Sequence, residues 1–262
     1  MKREIRSSME LQATGSARLI LAIAAVDGAR DETLVVEQDG RALDARELSD
    51  GHGTRLHEVD VERGAVTVRY RATVVGRSAP VAVDELDAIA YLRPSRYCES
   101  DTLTPMAVEE FSGLSGWNLV DGVSSWVGTH LMYQLGSSGP TDGATATMLA
   151  RRGVCRDFAH LVVALLRAMD VPARVVAVYA PGLDPMDFHA VAEVLLDGEW
   201  WVVDATSLAP RRSMVRIATG RDAADTAFLT TIGEPVDLVS LEVFATVDDL
   251  PADDPRVPER LG

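Results

Sequence analysis

The stretch "RRGVCRDFAHLVVALLRAMDVPAR", residues 151–174, decides how the chain is read. Its apolar positions fall at Phe158, Leu161, Val162, Leu165, Leu166 and Met169. That three-and-four spacing predicts a helix packed along one face. Gly153 breaks the chain ahead of it, and Val171-Pro172 ends it. Cys155, one of only two cysteines, therefore sits in or just before the first turn. Unpaired N–H groups and the positive end of the helix dipole favour a thiolate there and can also hold an oxyanion. A free cysteine is equally among the most buried residue types, so position alone leaves open a nucleophile or a small hydrophobe. A nucleophile needs a partner.

A partner is offered by "DFHAVAEVLLDGEWWVVDATS", residues 187–207. Two β-rich runs flank Asp197-Gly198, a dipeptide that calls for a two-residue type I′ hairpin turn. Such a turn sets the register, with Leu196 facing Glu199 and Leu195 facing Trp200. Carried outward, Val191 faces Asp204 and His189 faces Thr206. His189 and Asp204 then project from one face as diagonal neighbours, about 7–8 Å apart at the backbone and within reach of a hydrogen bond. Cysteine, histidine and aspartate are the parts of an activated thiol: imidazole takes the proton, and carboxylate orients the imidazole.

The rest of the chain sets limits. A net charge of −15 excludes nucleic acid and anionic membrane as main partners, since both need clustered basic residues. The only lysine is Lys2. Cys98 and Cys155 form neither a metal-ligand spacing nor a disulfide framework, and Cys98 reads as structural. No apolar run approaches the roughly 20 residues that span a bilayer. The best leader-like stretch, residues 17–29, follows a segment holding Glu4 and Glu10, so it reads as a strand and the expected location is cytoplasmic. His52, His57 and His130 have no acidic partner visible in the sequence, and His160 reads as satisfied locally. The four tryptophans read as packing.

Residues 1–82 read as a small all-β domain, with strand runs at 18–24, 33–38 and 64–75 between turn signals. The last run alternates Val66, Val68, Tyr70 and Ala72 against Thr67, Arg69, Arg71 and Thr73. Residues 83–245 read as a mixed core. Within it, Thr104 and Pro105 mark a helix start, residues 116–135 read as helical, and 136–143 form a Gly-rich loop. Residues 246–262 form an acidic, Pro-rich tail expected to lie extended on the surface or to be disordered.

On the stretches "WVGTHLMYQLGSSG", the cysteine block, the His and Asp blocks and "GRDAADTAF", the chain resembles the bacterial transglutaminase-like superfamily, which has a papain-like core. "YLRPSRYCESD" extends the match, and "DGHGTRLHEVD" resembles the β domain preceding that core. The resemblance implies an α+β fold in which the Cys-bearing helix packs on an antiparallel sheet. It implies Cys155 as nucleophile, His189 as general base and acid, and Asp204 as orienting carboxylate. It also implies acyl transfer or hydrolysis on protein or peptide amides through a thioester, with no cofactor. The family pairs the cysteine N–H with an upstream oxyanion donor, for which Tyr133 is a candidate, although an aromatic on a helix face more often serves the core. Two departures stand out: Val191 where the family often has Trp, and Ala205 where it often has Pro. The alternative is a catalytically silent binding module on the same fold.

Overall fold

The computed structural model describes residues 1–79 and 81–261. The N-terminal part is built of β1 (Lys2–Ala13), β2 (Ala17–Leu21), β3 (Ala29–Gln38), β4 (Arg41–Leu43), β5 (Arg46–Ser49), β6 (Arg55–Val61) and β7 (Gly64–Val75). β7 buries Val66, Val68, Tyr70, Ala72 and Val74 and turns Arg69 and Arg71 to solvent. That is the face assignment expected from its period of two.

The second part runs α1 (Asp87–Ala90), α2 (Ser100–Phe111), α3 (Gly116–His130), β8 (Met132–Tyr133), α4 (Ala144–Ala150), β9 (Arg152–Gly153) and α5 (Cys155–Ala168). It continues through β10 (Ala173–Tyr179), β11 (Phe188–Leu196), β12 (Glu199–Val203), β13 (Val215–Gly220), α6 (Ala223–Thr226), β14 (Leu229–Gly233) and β15 (Val236–Val247). The fold is α+β. Its core sheet, in order β12-β11-β10-β13, is antiparallel throughout.

α5 is more deeply placed than its single apolar stripe predicts. Every residue from Asp157 to Arg167 is buried, because α2, α3 and α4 cover the sides that the core sheet leaves open. Ala159, Val163 and Ala164, off the expected stripe, are small enough for that close approach. α2 begins at Ser100, not at Thr104. Thr104 lies inside the helix, where its hydroxyl donates to the Ser100 carbonyl at 2.9 Å. Burial of Leu103, Ala107 and Phe111 on one stripe outweighs the local preference for a start at Pro105. α3 ends at His130, and residues 132–133 leave the helix to pair in parallel with β9.

Two sheets of the N-terminal part, β15-β1-β7-β3-β4 and β14-β2-β6-β5, share one apolar core. The outermost strands β14 and β15 come from the far end of the chain. The expected core of 83–245 therefore includes strands that hydrogen-bond to the N-terminal sheets, and the boundary at 245 falls inside β15. Backbone pairing over long sequence separation carries no local composition signal. Tyr179 of β10 joins the two parts: its hydroxyl donates to the Ile23 carbonyl at 2.8 Å and lies 3.1 Å from Ser7 Oγ.

Residues 248–261 carry no helix or strand and lie extended over the core. Arg211 holds both Asp253 oxygens at 2.9 Å and the Asp254 and Val257 carbonyls at 2.7 and 3.0 Å. Val202 N–H donates to the Glu259 carbonyl at 2.9 Å, and Leu261 is buried.

Beneath β11 lies a buried ionic cluster that the sequence does not announce. Glu193 receives Arg174 Nε at 2.8 Å and Arg216 Nη1 at 3.0 Å, and Arg174 stacks on Trp200 with its guanidinium 3.8 Å from the ring centre. Burial pushes the Glu193 carboxyl up, but Arg216 and Arg174 outweigh it and bring it down to about 2. A lowered carboxyl stabilises the fold above its unfolded value of 4.5 and loses that contribution as pH falls toward 2. We predict that Glu193→Gln leaves the guanidiniums without their counter-charge and costs about 3–5 kcal/mol at neutral pH. Denaturant unfolding of both proteins checks this: the gap should narrow steadily below about pH 4.5, and a gap unchanged at pH 2–3 would refute it.

Candidate active site

Cys155 is the first residue of α5 and is half-buried. The helix entry is held by Asp157, whose Oδ2 accepts the Val154 N–H at 2.8 Å. Its Oδ1 accepts Ser138 Oγ at 2.9 Å and Arg156 Nη2 at 3.0 Å. Arg156 also donates to the Gly139 carbonyl at 2.7 Å, so the 136–143 loop is fastened to the turn that carries the sulfur. A Cβ at Gly153 would lie 2.6 Å from the Asp157 Cβ, which explains the glycine there.

The hairpin takes the expected register. Leu196 faces Glu199, Leu195 faces Trp200, and the pairing continues to Ala192 opposite Val203. Asp197 (φ 53°) and Gly198 (φ 77°) both occupy the left-handed region that a type I′ turn requires. His189 and Asp204 are thereby brought to one side, and His189 Nε2 lies 2.9 Å from Asp204 Oδ2. They are 1% and 6% exposed, so this is a buried ion pair.

Asp204 is fixed from its other oxygen. Oδ1 accepts the Thr206 N–H at 2.9 Å and the Thr206 hydroxyl at 2.7 Å. The sequence reading assigns Thr206 no role, although Asp-x-Thr is a spacing at which a carboxylate caps the backbone two residues on. α3 comes close at this turn: a Cβ on Gly128 would stand 2.8 Å from the Ala205 carbonyl oxygen.

Burial lowers the proton affinity of His189, but the Asp204 charge and hydrogen bond, together with the Cys155 thiol, outweigh it and hold the imidazole well above its ordinary value. Asp204 is pushed up by burial and pulled down further by His189 and Thr206, for a net lowering. Each shift favours the charged form of its group, so the two side chains stabilise one another's charge. The thiol raises His189 by hydrogen bonding and charge, yet no Sγ···Nδ1 bond of full geometry is formed and Nδ1 has no other hydrogen-bond partner. Sγ itself lies 3.9 Å from the Phe188 carbonyl oxygen, one residue from His189. The geometry brings Cys155, His189 and Asp204 into one site.

Tyr133 is on β8, not on a helix face, and the β8–β9 pairing sets it opposite Gly153, two residues before the sulfur. Burial raises its hydroxyl to about 12, the Cys155 side chain adds to that, and the Cys155 backbone N–H reaching the hydroxyl works against it. The tyrosine hydroxyl and the N–H of the first helical residue therefore lie close together.

The remaining histidines have local partners, His130 Nδ1 lying 2.8 Å from the Trp126 carbonyl oxygen with its ring stacked on Trp126. His160 Nε2 accepts the Ala223 N–H at 3.0 Å and its ring stacks on Tyr97, so it is satisfied locally, as expected. Two others correct the sequence reading. His57 Nε2 lies 3.1 Å from Glu47 Oε2, and His52 Nε2 lies 3.9 Å from Asp87 Oδ1 and 2.9 Å from the Tyr91 hydroxyl. Glu47 is directly opposite His57 on β5, a short strand without a clear sequence signal. Cys98 is fully buried, and burial drives its thiol far above the ordinary range. Among the described residues no cluster of three or more His, Cys, Asp or Glu could hold a metal ion, and no helix is long and apolar enough to cross a membrane.

Comparison with known proteins agrees with this architecture. The model of the transglutaminase-like superfamily matches residues 115–205, which contain α3, α5, the hairpin and all three site residues. A solved structure from Cytophaga hutchinsonii, provisionally described as a cysteine protease, is 33% identical, covers 96% of this chain and 92% of its own, and superposes with a TM-score of 0.87. An uncharacterized protein of Mycobacterium leprae is 30% identical over 134 residues, 48% of each chain. One of Mycobacterium tuberculosis is 36% identical over 119 residues, 39% of this chain and 38% of its own. The matched region spans about half or less of these curated relatives. With a full-length structural match at that identity and the family core lying over α5 and the hairpin, the chain belongs to the transglutaminase-like superfamily.

Proposed function

We propose that the protein is a thiol acyltransferase or hydrolase acting on amides of proteins or peptides. The observation that carries this reading is the 2.9 Å His189–Asp204 bond with Nδ1 left open beside the sulfur of the first α5 residue. Proton transfer to the imidazole leaves a thiolate paired with imidazolium. The thiolate attacks the carbonyl carbon of a glutamine side chain or a peptide bond, and the carbonyl π electrons move onto oxygen. The Cys155 N–H and the Tyr133 hydroxyl are the proposed donors to that oxyanion. Collapse of the tetrahedral species breaks the C–N bond, and His189 gives its proton to the departing amine. Water or a second amine then attacks the thioester, loses a proton to His189 and expels the sulfur. Asp204 stays ionised throughout and Thr206 orients it.

Alkylation by iodoacetamide, followed by peptide mapping across pH, tests the ion pair. Cys155 should react readily at about pH 6, where an ordinary thiol is largely protonated, while Cys98 stays unmodified in the folded protein. His189→Ala should slow the Cys155 reaction at that pH by at least about tenfold and return its profile to that of a free thiol. Equal profiles for wild type and variant would instead favour a silent binding module.

Incubation with a peptide library, with and without an added primary amine, separates cleavage, deamidation and amine incorporation by product mass. On whichever peptide is turned over, Asp204→Asn should lower kcat by roughly 10²- to 10⁴-fold. Thr206→Val should cost about tenfold, because the backbone N–H still holds Oδ1. Activity in Asp204→Asn within twofold of wild type would remove the orienting carboxylate from the mechanism.

A further inference from the structure

On the solvent face of the β15-β1-β7-β3-β4 sheet, two arginines stand directly opposite one another: Arg6 on β1 and Arg71 on β7. Like charges in that relation repel and weaken a sheet. Among the described residues neither has a carboxylate within ion-pair distance. Arg71 Nε donates to Thr33 Oγ1 at 3.0 Å, and the Arg6 guanidinium lies over the Phe244 ring, 4.1 Å from its centre. Phe244 is itself the β15 residue opposite Arg6. Each side chain is thus held in place by a neutral neighbour. Arg69, in the next row opposite Ser8, adds a third guanidinium, this one paired with Glu37.

These groups line a cavity of about 760 Å³, with the exposed Val35 and Phe244 among its apolar lining. Its one carboxylate, Glu242, makes no ion pair among the described residues. In a chain of net charge −15 the cavity is a local reversal of sign. It also includes Met186, three residues before His189. A cavity of this size, basic along one row and apolar beside it, exceeds what a single small anion can fill.

The geometry points to a docking site for an acidic segment of polypeptide, its carboxylates taken by Arg6 and Arg71 and its apolar side chains laid on Phe244 and Val35. Charge complementarity selects this occupant: two preorganised guanidiniums accept carboxylates, and burial of an apolar side chain beside them adds the remainder of the affinity. The site is separate from the thiol chemistry, so its test does not depend on turnover.

Fluorescence anisotropy on Cys155→Ala protein, with a labelled peptide of alternating Glu and Leu and with its Lys-for-Glu counterpart, provides that test. The acidic peptide should bind at least about tenfold more tightly than the basic one and weaken as salt is raised. The double variant Arg6→Gln, Arg71→Gln should lose about tenfold or more in affinity, whereas Arg18→Gln, on the other sheet of the sandwich, should lose none. The double variant should also melt no lower than its parent, since opposed charges are removed, and this verifies that it is folded. Equal binding of the two peptides, or affinity retained in a folded double variant, overturns the site. Full displacement by millimolar inorganic phosphate, with no loss when Leu is replaced by Gly, overturns the polypeptide assignment.

Discussion

One buried hydrogen bond, from His189 Nε2 to Asp204 Oδ2, is the constraint on which the site depends. It joins the start of β11 to the residue just past β12, so it can form only in one register of the hairpin. Two left-handed residues at Asp197 and Gly198 set that register. A slip of one residue would turn the carboxylate to the opposite face and leave a buried imidazolium alone. The bond thus converts a turn preference into an electrostatic state: with Asp204 held by Thr206, its charge raises the proton affinity of the imidazole, whose Nδ1 is left without a hydrogen-bond partner.

Two ionic groups occupy the same face of β11, and their partners distinguish them. Glu193 is surrounded by Arg174 and Arg216, and both of its oxygens are engaged. Such a cluster supports structure and offers little to a substrate. His189 is satisfied on one nitrogen only. An imidazole nitrogen without a partner, near a half-buried thiol, is what distinguishes this pair from the Glu193 cluster at equal burial.

The N-terminal sheets are integral to this arrangement. Phe188, whose carbonyl approaches Sγ, lies against Tyr179 with ring centres 5.4 Å apart and against Phe228 at 5.3 Å. Tyr179 in turn is hydrogen-bonded to Ile23. The strand that carries His189 is therefore buttressed by the β sandwich, whose edge strands β14 and β15 are supplied from the far end of the chain. On the cysteine side the support is local: Asp157, Ser138 and Arg156 tie the loop and the helix entry together.

The sequence by itself determined the features that rest on short-range geometry. Helical spacing from Phe158 put Cys155 at a helix tip, Asp-Gly turn chemistry aligned His189 with Asp204, and strict alternation assigned both faces of β7. Each of these follows from a local repeat or a two-residue turn, where the backbone leaves few choices. The tertiary structure alone decided what depends on distant partners. Burial of α5 on all sides follows from helices that pack around it, and the His57 contact with a carboxylate follows from Glu47 on a short strand. The return of β14 and β15 to the sandwich comes from edge pairing that any apolar strand could have made. Tyr133 was read onto a helix because residues 116–135 keep a helical pattern. It was moved into the site by backbone bonds to β9, whose alternatives differ only in long-range contacts that local propensity does not encode.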